Sequence, residues 1–486
     1  MATSISGVGS ISSAGIGSGL DVTSLVGRLM EVERLPLIAL QTQASTYNSK
    51  LSTLGRLQSN YGALRDKANA LVSTTLWSGT TASASDDSAI KVSTASTAAA
   101  GNYSIGVQKL AIGQSVTGTA LASANTRVGT GTLTIELGHY GSGVPAADFT
   151  ANPEAATLAV AVGETDATLA GLRDKINSAN ASVVASIVTD SSGARLSLRS
   201  RSTGAENAFR ISAIETVDDG DTATGLSALA FDATQASSPM QRTAVAGNAE
   251  LTVNGLAITS ASNTLNNVVD GLTMTLQKTT TDPVQVNVKA DNAAVKTAIT
   301  DFVSAFNTLA GYIHAQTAFN SDNNTGGSLQ GDQSTLGMQS QLRAVLNNSS
   351  TASSVWGRLS DIGIGLKADG TLDISATKLD NALENPTELR KLISADGSGD
   401  GNSGIVRRFK RLADDTLGAN GALDARTTGL RSSVSRNSKS QEKAQKRLDQ
   451  TESRLRRQYT SLDTTMARLT ATSTYVRQQF SPGNSN

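Results

Sequence analysis

Two histidines, a glycine loop and two acidic clusters are the only residues in this chain whose type and spacing could do chemistry. His139 and His314 stand in unrelated sequence contexts, so a histidine-based metal site or proton relay is not indicated. Gly15-Ile-Gly17-Ser-Gly19 resembles a phosphate loop only in its glycines. It precedes a helical pattern but follows no strand, and it lacks the lysine that reaches a terminal phosphate. Asp396-Gly-Ser398-Gly-Asp400-Gly401 begins like a calcium loop. The twelfth position, where a bidentate glutamate is needed, is Arg407, so the stretch reads as a linker. Asp218, Asp219 and Asp221 have no better ligand pattern, and no Gly-x-Ser-x-Gly elbow occurs. With 0 cysteines, disulfides and thiolate metal sites are impossible. No catalytic residue, cofactor or metal is expected, and the chain does not read as an enzyme.

The elements that remain are scaffolding. A chain of 486 residues with 44 glycines and only 3% aromatics suits several small Ala/Val/Leu-lined cores better than one large core. Formal net charge is zero but unevenly spread. Ile405–Phe480 holds 16 Lys/Arg against 7 Asp/Glu, Trp77–Gly404 holds 19 against 30, and Asp21–Leu76 holds 6 against 4. A basic C-terminal region could recruit an acidic partner, but it also reads as the solvated face of long helices. Its few aromatics argue against nucleic acid. No apolar run is long enough for membrane insertion, and residues 1–20, with 11 Gly or Ser, lack the pattern of a secretory signal peptide.

Helical stripes occupy both ends. Leu448, Leu455, Leu462, Leu469 and Val476 recur every seven residues, and Tyr459, Met466, Ser473 and Phe480 interleave in the 4-3 alternation of a coiled-coil seam. Leu40, Tyr47, Leu51, Leu54, Leu57, Tyr61, Leu64 and Leu71 step similarly near the N-terminus, with a drift where Leu51, Leu54 and Leu57 step by threes. Asp21 predicts an N-cap before a helix whose face is Leu25, Leu29 and Val32, and Pro36 is expected to break or kink the chain there. The period changes to two from Thr80 to Lys289, with a helix at Leu169, Leu172 and Ile176. Asn254-Gly255 between alternating flanks predicts a tight hairpin, and Asp369-Gly370 a second. Val295, Ile299, Phe302, Phe306, Leu309 and Ile313 form an amphipathic stripe.

The expected fold is a multidomain α+β protein with a long α-helical coiled-coil leg, from paired N- and C-terminal segments, and antiparallel β-rich head domains. The expected divisions are a flexible tail at 1–20 and a helical leg at 21–79. A central β domain follows at 80–125 plus 240–290, with a β-rich domain inserted at 126–239. A helical segment with a hairpin spans 291–404, and a coiled-coil leg and tail span 405–486.

Four blocks resemble a known family. Ser18-Gly-Leu20-Asp21 with Leu25 to Leu29 and Glu33-Arg-Leu-Pro-Leu37 resembles the N-terminal signature of the flagellar filament-cap family, hook-associated protein 2. Arg457-Gln-Tyr-Thr-Ser-Leu-Asp463 and Ser473-Thr-Tyr-Val-Arg-Gln-Gln-Phe480 resemble its other end. Leu251–Gly255 with Asn263–Leu272, and Asp369–Leu372 with Lys378–Leu383, resemble its interior. The resemblance implies a structural protein, exported without a cleaved signal through the flagellar export apparatus, forming a ring-like homo-oligomer at the extracellular filament tip. Flagellin would fold and insert beneath it. It implies flagellin, the hook–filament junction protein and an export chaperone as partners. On this reading Leu20, Asp21, Leu25, Leu29, Leu469, Tyr475, Val476 and Phe480 form a foot that engages flagellin or the hook–filament junction. Leu40, Tyr47, Leu51, Leu54, Tyr61, Leu64 and Leu71 pair with Leu448, Leu455, Tyr459, Leu462 and Met466 as the leg. The alternatives are a flagellin-like or junction structural protein, and an adhesin whose β-rich head binds host surface glycans.

Overall fold

The computed structural model describes residues 21–179, 182–322 and 324–479. The expected tail, Leu20, the Gly15–Gly19 loop and Phe480 lie outside the described residues.

In chain order, α1 (Val22–Val72) and a single turn α2 (Thr74–Trp77) precede β1 (Thr80–Ala84), β2 (Ile90–Thr94), β3 (Gly101–Lys109), β4 (Ser115–Thr117), β5 (Gly131–Tyr140), β6 (Phe149–Ala151) and β7 (Leu158–Val162). Next come α3 (Leu169–Ser178), β8 (Val183–Asp190), β9 (Gly193–Ser200), β10 (Ala208–Glu215), β11 (Gln241–Ala244), β12 (Ala249–Val253), β13 (Leu256–Ser260), β14 (Thr264–Val269), β15 (Leu272–Leu276) and β16 (Val284–Ala290). The chain continues with α4 (Asn292–Thr317), the short strands β17 (Phe319–Asn320) and β18 (Thr325–Gly326), and α5 (Gln333–Asn347). It ends in β19 (Ile364–Leu366), β20 (Leu372–Ile374), α6 (Ala376–Leu383), α7 (Pro386–Ser394), α8 (Ile405–Leu417) and α9 (Ala422–Gln479). These elements form two compact units. One combines the residues up to Ser73 with those from Val295 onward, and the other is Thr74–Ala294.

The second unit is antiparallel throughout and holds two cores. Sheets β1-β16-β3-β12-β13 and β14-β15-β2 share one core. Its residues alternate along each strand, as Ile105 and Val107 on β3 or Val284, Val286 and Val288 on β16 do, because successive side chains face opposite sides. Asn254 and Gly255 take φ 50° and 83°, the left-handed values a two-residue hairpin needs. Asn254 also accepts the Ser104 amide at 2.8 Å, which fixes the turn against β3. Sheets β10-β5-β6 (with β7 also on β5) and β11-β4-β9-β8 enclose the other core with α3. Strands β4 and β11 belong to this inserted layer, so its sheets begin and end outside 126–239. The buried Gln114 donates to the Phe209 carbonyl at 2.7 Å, one of the polar ties at this crossing.

The first unit is helical. All six stripe residues of α4 are buried, and Phe302 and Phe306 meet Phe409 of α8 edge-on at 5.5 and 5.6 Å. Burying each such ring contributes about 1.5–3 kcal/mol. Arg408 on α8 is buried, with no carboxylate partner among the described residues. Its guanidinium donates to the carbonyls of Asn348 and Ser349, just past the end of α5, and of Ser403, just before α8, at 3.0–3.2 Å. Burial holds its pKa below the ordinary arginine value. Arg426 of α9 pairs with the buried Asp332 that caps α5.

Pro36 does not divide the N-terminal helix. Helix α1 runs unbroken from Val22 to Val72 with Pro36 inside it, roughly 76 Å at 1.5 Å per residue. Proline leaves the Val32 carbonyl without its usual intrahelical donor. Val32 is 66% exposed, so water can take that bond and the helix continues.

Candidate docking surface

The paired ends are built from the first turns of α1. Asp21 caps the helix, its carboxylate accepting the Ser24 amide at 2.9 Å. Val22, Val26 and Met30 then lie four residues apart and are 7%, 1% and 3% exposed. They pack with Leu37 against Leu448, Leu455 and Tyr459 of α9. The helices run antiparallel. Asn437 donates to the Gln43 side chain at 2.9 Å, and Gln441 reaches the Leu40 carbonyl at 3.4 Å.

This register differs from the expected one. Leu448, Leu455 and Tyr459 face Val22–Leu37, not Leu40–Leu71. Leu40, Tyr47 and Leu51 are half-buried along the α1–α9 pair. Leu54, Tyr61, Leu64 and Leu71 are buried in the helical core instead. Beside them Tyr312 of α4 donates to the Thr53 carbonyl at 3.3 Å, and Lys67 pairs with Asp301. The two successive steps of three at Leu51–Leu57 mark where α1 exchanges one partner helix for others. Periodicity shows which residues share a face but carries no information on the offset between two helices.

Two apolar faces remain exposed. Leu25 and Leu29 are 37% and 40% exposed, and with Val32 and Pro36 they form a second stripe, beside the packed one, at steps 4, 3 and 4. The start of α1 is therefore apolar over two adjacent stripes, of which the sequence reading singled out only the unpacked one. On α9, Leu462, Met466, Leu469, Tyr475 and Val476 are exposed. Of these, Leu462 and Met466 were expected in the leg seam. The structure places them with Leu469 and Val476, beyond the stretch that packs on α1. Exposed stripes of this length call for a partner.

The opposite side of α9 is cationic. Lys439, Lys443, Lys446, Arg447, Arg454 and Arg457 are exposed and make no ion pair among the described residues.

The residues first considered for chemistry do not converge. His139 is half-buried on β5, and His314 is exposed on α4. Asp396 and Asp400 are ion-paired to Arg407 and Arg411. Asp218, Asp219 and Asp221 accept amides of their own loop, which together with the Thr224 hydroxyl holds the Asp219 carboxyl below its ordinary pKa. No group of three or more His, Cys, Asp or Glu with metal-site geometry occurs among the described residues. No described helix is long and apolar enough to cross a membrane.

Long terminal helices paired antiparallel, with unfilled apolar faces at their ends and antiparallel β layers inserted between, define a multidomain scaffold protein. Residues 18–114 match the family described as Flagellar hook-associated protein 2 N-terminus, and residues 246–471 match Flagellar hook-associated protein 2 C-terminus. The flagellar hook-associated protein 2 of Escherichia coli K12 is 32% identical over 98% of this chain and 99% of its own length. The B-type flagellar hook-associated protein 2 of Pseudomonas aeruginosa is 34% identical over 87% of each chain. The crystal structure of the D1-D2-D3 domains of the Escherichia coli flagellar cap protein FliD superposes with a TM-score of 0.58 at 30% identity, covering 78% of this chain and 99% of that one. The chain belongs to the flagellar hook-associated protein 2 family.

Proposed function

We propose that this protein caps the distal tip of the bacterial flagellar filament, as a non-enzymatic structural subunit that associates with copies of itself and guides the folding and insertion of exported flagellin. The observation that carries this reading is the pair of exposed apolar faces, Leu25–Leu29–Val32 on α1 and Leu462–Met466–Leu469–Val476 on α9. Each such side chain gains about 1.5–3 kcal/mol when covered, so a few together hold a subunit on a partner. Contacts this modest still exchange as the filament lengthens. Family membership favours capping over the adhesin and the flagellin-like readings.

On this proposal the foot is Leu25, Leu29, Leu469, Tyr475 and Val476, and its targets are flagellin and, before the first flagellin arrives, the hook–filament junction protein. The β-rich unit supplies contacts between copies. The protein reaches the cell exterior through the flagellar export apparatus, with a chaperone covering its apolar ends beforehand. The test replaces the chromosomal copy by a Leu469→Asp, Val476→Asp variant. The expected result is flagellin monomer shed into the medium, no filament, and a secreted variant whose circular dichroism matches the parent. Filaments of normal length would overturn the foot assignment.

A further inference from the structure

Strand β8 ends its sheet: it pairs with β9 on one side and with no described strand on the other. Its eight residues, Val183-Val-Ala-Ser-Ile-Val-Thr-Asp190, include no proline, glycine or lysine, and Asp190 is the first charge. An edge of that kind is a template for adding a strand from a second chain. The direction of its backbone groups follows from the hairpin. Asp190 and Gly193 close a two-residue loop, so Asp190, Val188, Ser186 and Val184 turn their N–H and C=O groups to β9. Ala185, Ile187 and Thr189 turn theirs outward.

Ala185 is already taken. Asn177, on α3, accepts the Ala185 amide on Oδ1 at 2.9 Å and donates from Nδ2 to the Ala185 carbonyl at 2.8 Å. A primary amide carries acceptor and donor side by side, as a residue of a neighbouring strand does, so Asn177 stands where the next strand would. The arrangement recurs. Asn307 on α4 makes the same two bonds to Leu372 of β20 at 2.6 and 2.9 Å, and Asn263 makes them to Ala111 at 2.7 and 2.8 Å. Strand β10, also eight residues long and at a sheet end, is covered by main chain instead: its Ile211 exchanges both backbone bonds with Phe231.

We propose that Asn177 is an edge block that keeps β8 from pairing with β8 of a second copy. The strand is self-complementary. Two copies related by a two-fold axis can run β8 against β8 antiparallel and join their sheets. With Ala185 closed, only Ile187 and Thr189 face outward beyond the block, too few for a stable ladder. An isologous β8 contact would join copies two by two and compete with any larger closed ring. The inference rests on strand geometry and stands whether or not the capping reading does.

The test uses the full-length protein with Ser186→Cys, a single thiol in a chain that has none, carrying a nitroxide at this exposed position. Neighbouring strands lie about 4.8 Å apart, so paired β8 strands would bring the two labels within about 10 Å and broaden the spectrum. The labelled protein is compared with the same protein bearing Asn177→Ala, the milder Asn177→Ser, Asn177→Ala with Val188→Lys, or Asn307→Ala. The expected result is a sharp spectrum with Asn177 in place. Both Asn177 variants should broaden it, with loss of exchange protection at the Ala185 amide. Dilution with unlabelled protein should remove the broadening, which marks it as contact between copies. Val188 is 51% exposed, and a lysine there should abolish the broadening, because edge lysines disfavour strand addition. Asn307→Ala strips the same two bonds from a strand of three residues and should leave the spectrum sharp. The serine variant carries the test if circular dichroism shows the alanine variant unfolded. Four results would each overturn the edge block: broadening with Asn177 intact, none once the Ala185 amide exchanges freely, persistence beside Val188→Lys, or equal broadening in Asn307→Ala.

Discussion

Replacing Val26 by aspartate separates the packed stripe of α1 from the exposed one beside it. Val26 is 1% exposed, between Val22 and Met30 and against α9. Losing its burial costs about 2 kcal/mol. An unpaired polar group in the same place adds about 2 more. The helix ends should then open about 4 kcal/mol more easily. At about 1.4 kcal/mol per tenfold, that is roughly three decades. Amide hydrogen exchange reads this directly, because residues 22–40 and 441–459 lose protection only when the pair opens. The helical core around Phe302, Phe306 and Phe409 should keep its protection, since its contacts do not include Val26. Leu25→Asp, one residue away and 37% exposed, should leave exchange in both segments within about threefold of the parent. The reasoning is refuted if Val26→Asp changes exchange by less than about tenfold, or if Leu25→Asp opens the pair equally.

Further expectations follow from buried and tightly bonded groups. Among the described residues the buried Tyr61 hydroxyl has no hydrogen-bond partner, and burial raises its pKa. Tyr61→Phe should therefore stabilise by about 1 kcal/mol or be neutral in denaturant unfolding, and a clear loss would reveal a partner for the hydroxyl. Arg408→Met takes the donor from the Asn348 and Ser349 carbonyls, while the Ser403 carbonyl keeps the Ser350 hydroxyl at 2.8 Å, and should cost about 2–4 kcal/mol, with faster exchange near Asn348; a loss under 1 kcal/mol would show that water replaces the guanidinium. Lys391, then the Ser353 hydroxyl and the Ser354 amide, hold the Glu388 carboxyl at about 2, below its ordinary 4.5. A depressed folded-state pKa contributes stability that is complete above 4.5 and lost as pH falls toward 2. Glu388→Gln should flatten that part of the stability–pH curve, and an unchanged curve would contradict the assignment.

Local signals were readable because they depend on near neighbours. Asn254-Gly255 demands positive φ, and the turn forms where that pair stands. The stripe Val295–Ile313 shows a helix with one buried side, whatever covers it. Less legible was anything set by a distant partner. The offset that places Leu448 in one cluster with Val22, Val26 and Met30 depends on where both helices are anchored, by Arg426 on Asp332 and Asn437 on Gln43. Whether Pro36 breaks the helix depends on solvent access to the Val32 carbonyl, which spacing alone does not show. Arg408 gave no signal, since three carbonyl acceptors have no side-chain signature. The second stripe of α1 could have been found. Val22, Val26 and Met30 beside Leu25, Leu29 and Val32 make two adjacent helical stripes, and one helix partner covers only one.

Electron cryo-microscopy of filament tips carrying this protein examines the apolar faces where they are proposed to act. The account predicts Leu25 and Leu29 of α1, and Leu462 to Val476 of α9, covered by flagellin at the filament end. Density showing those side chains turned to solvent, with the β-rich unit alone touching the filament, would contradict it.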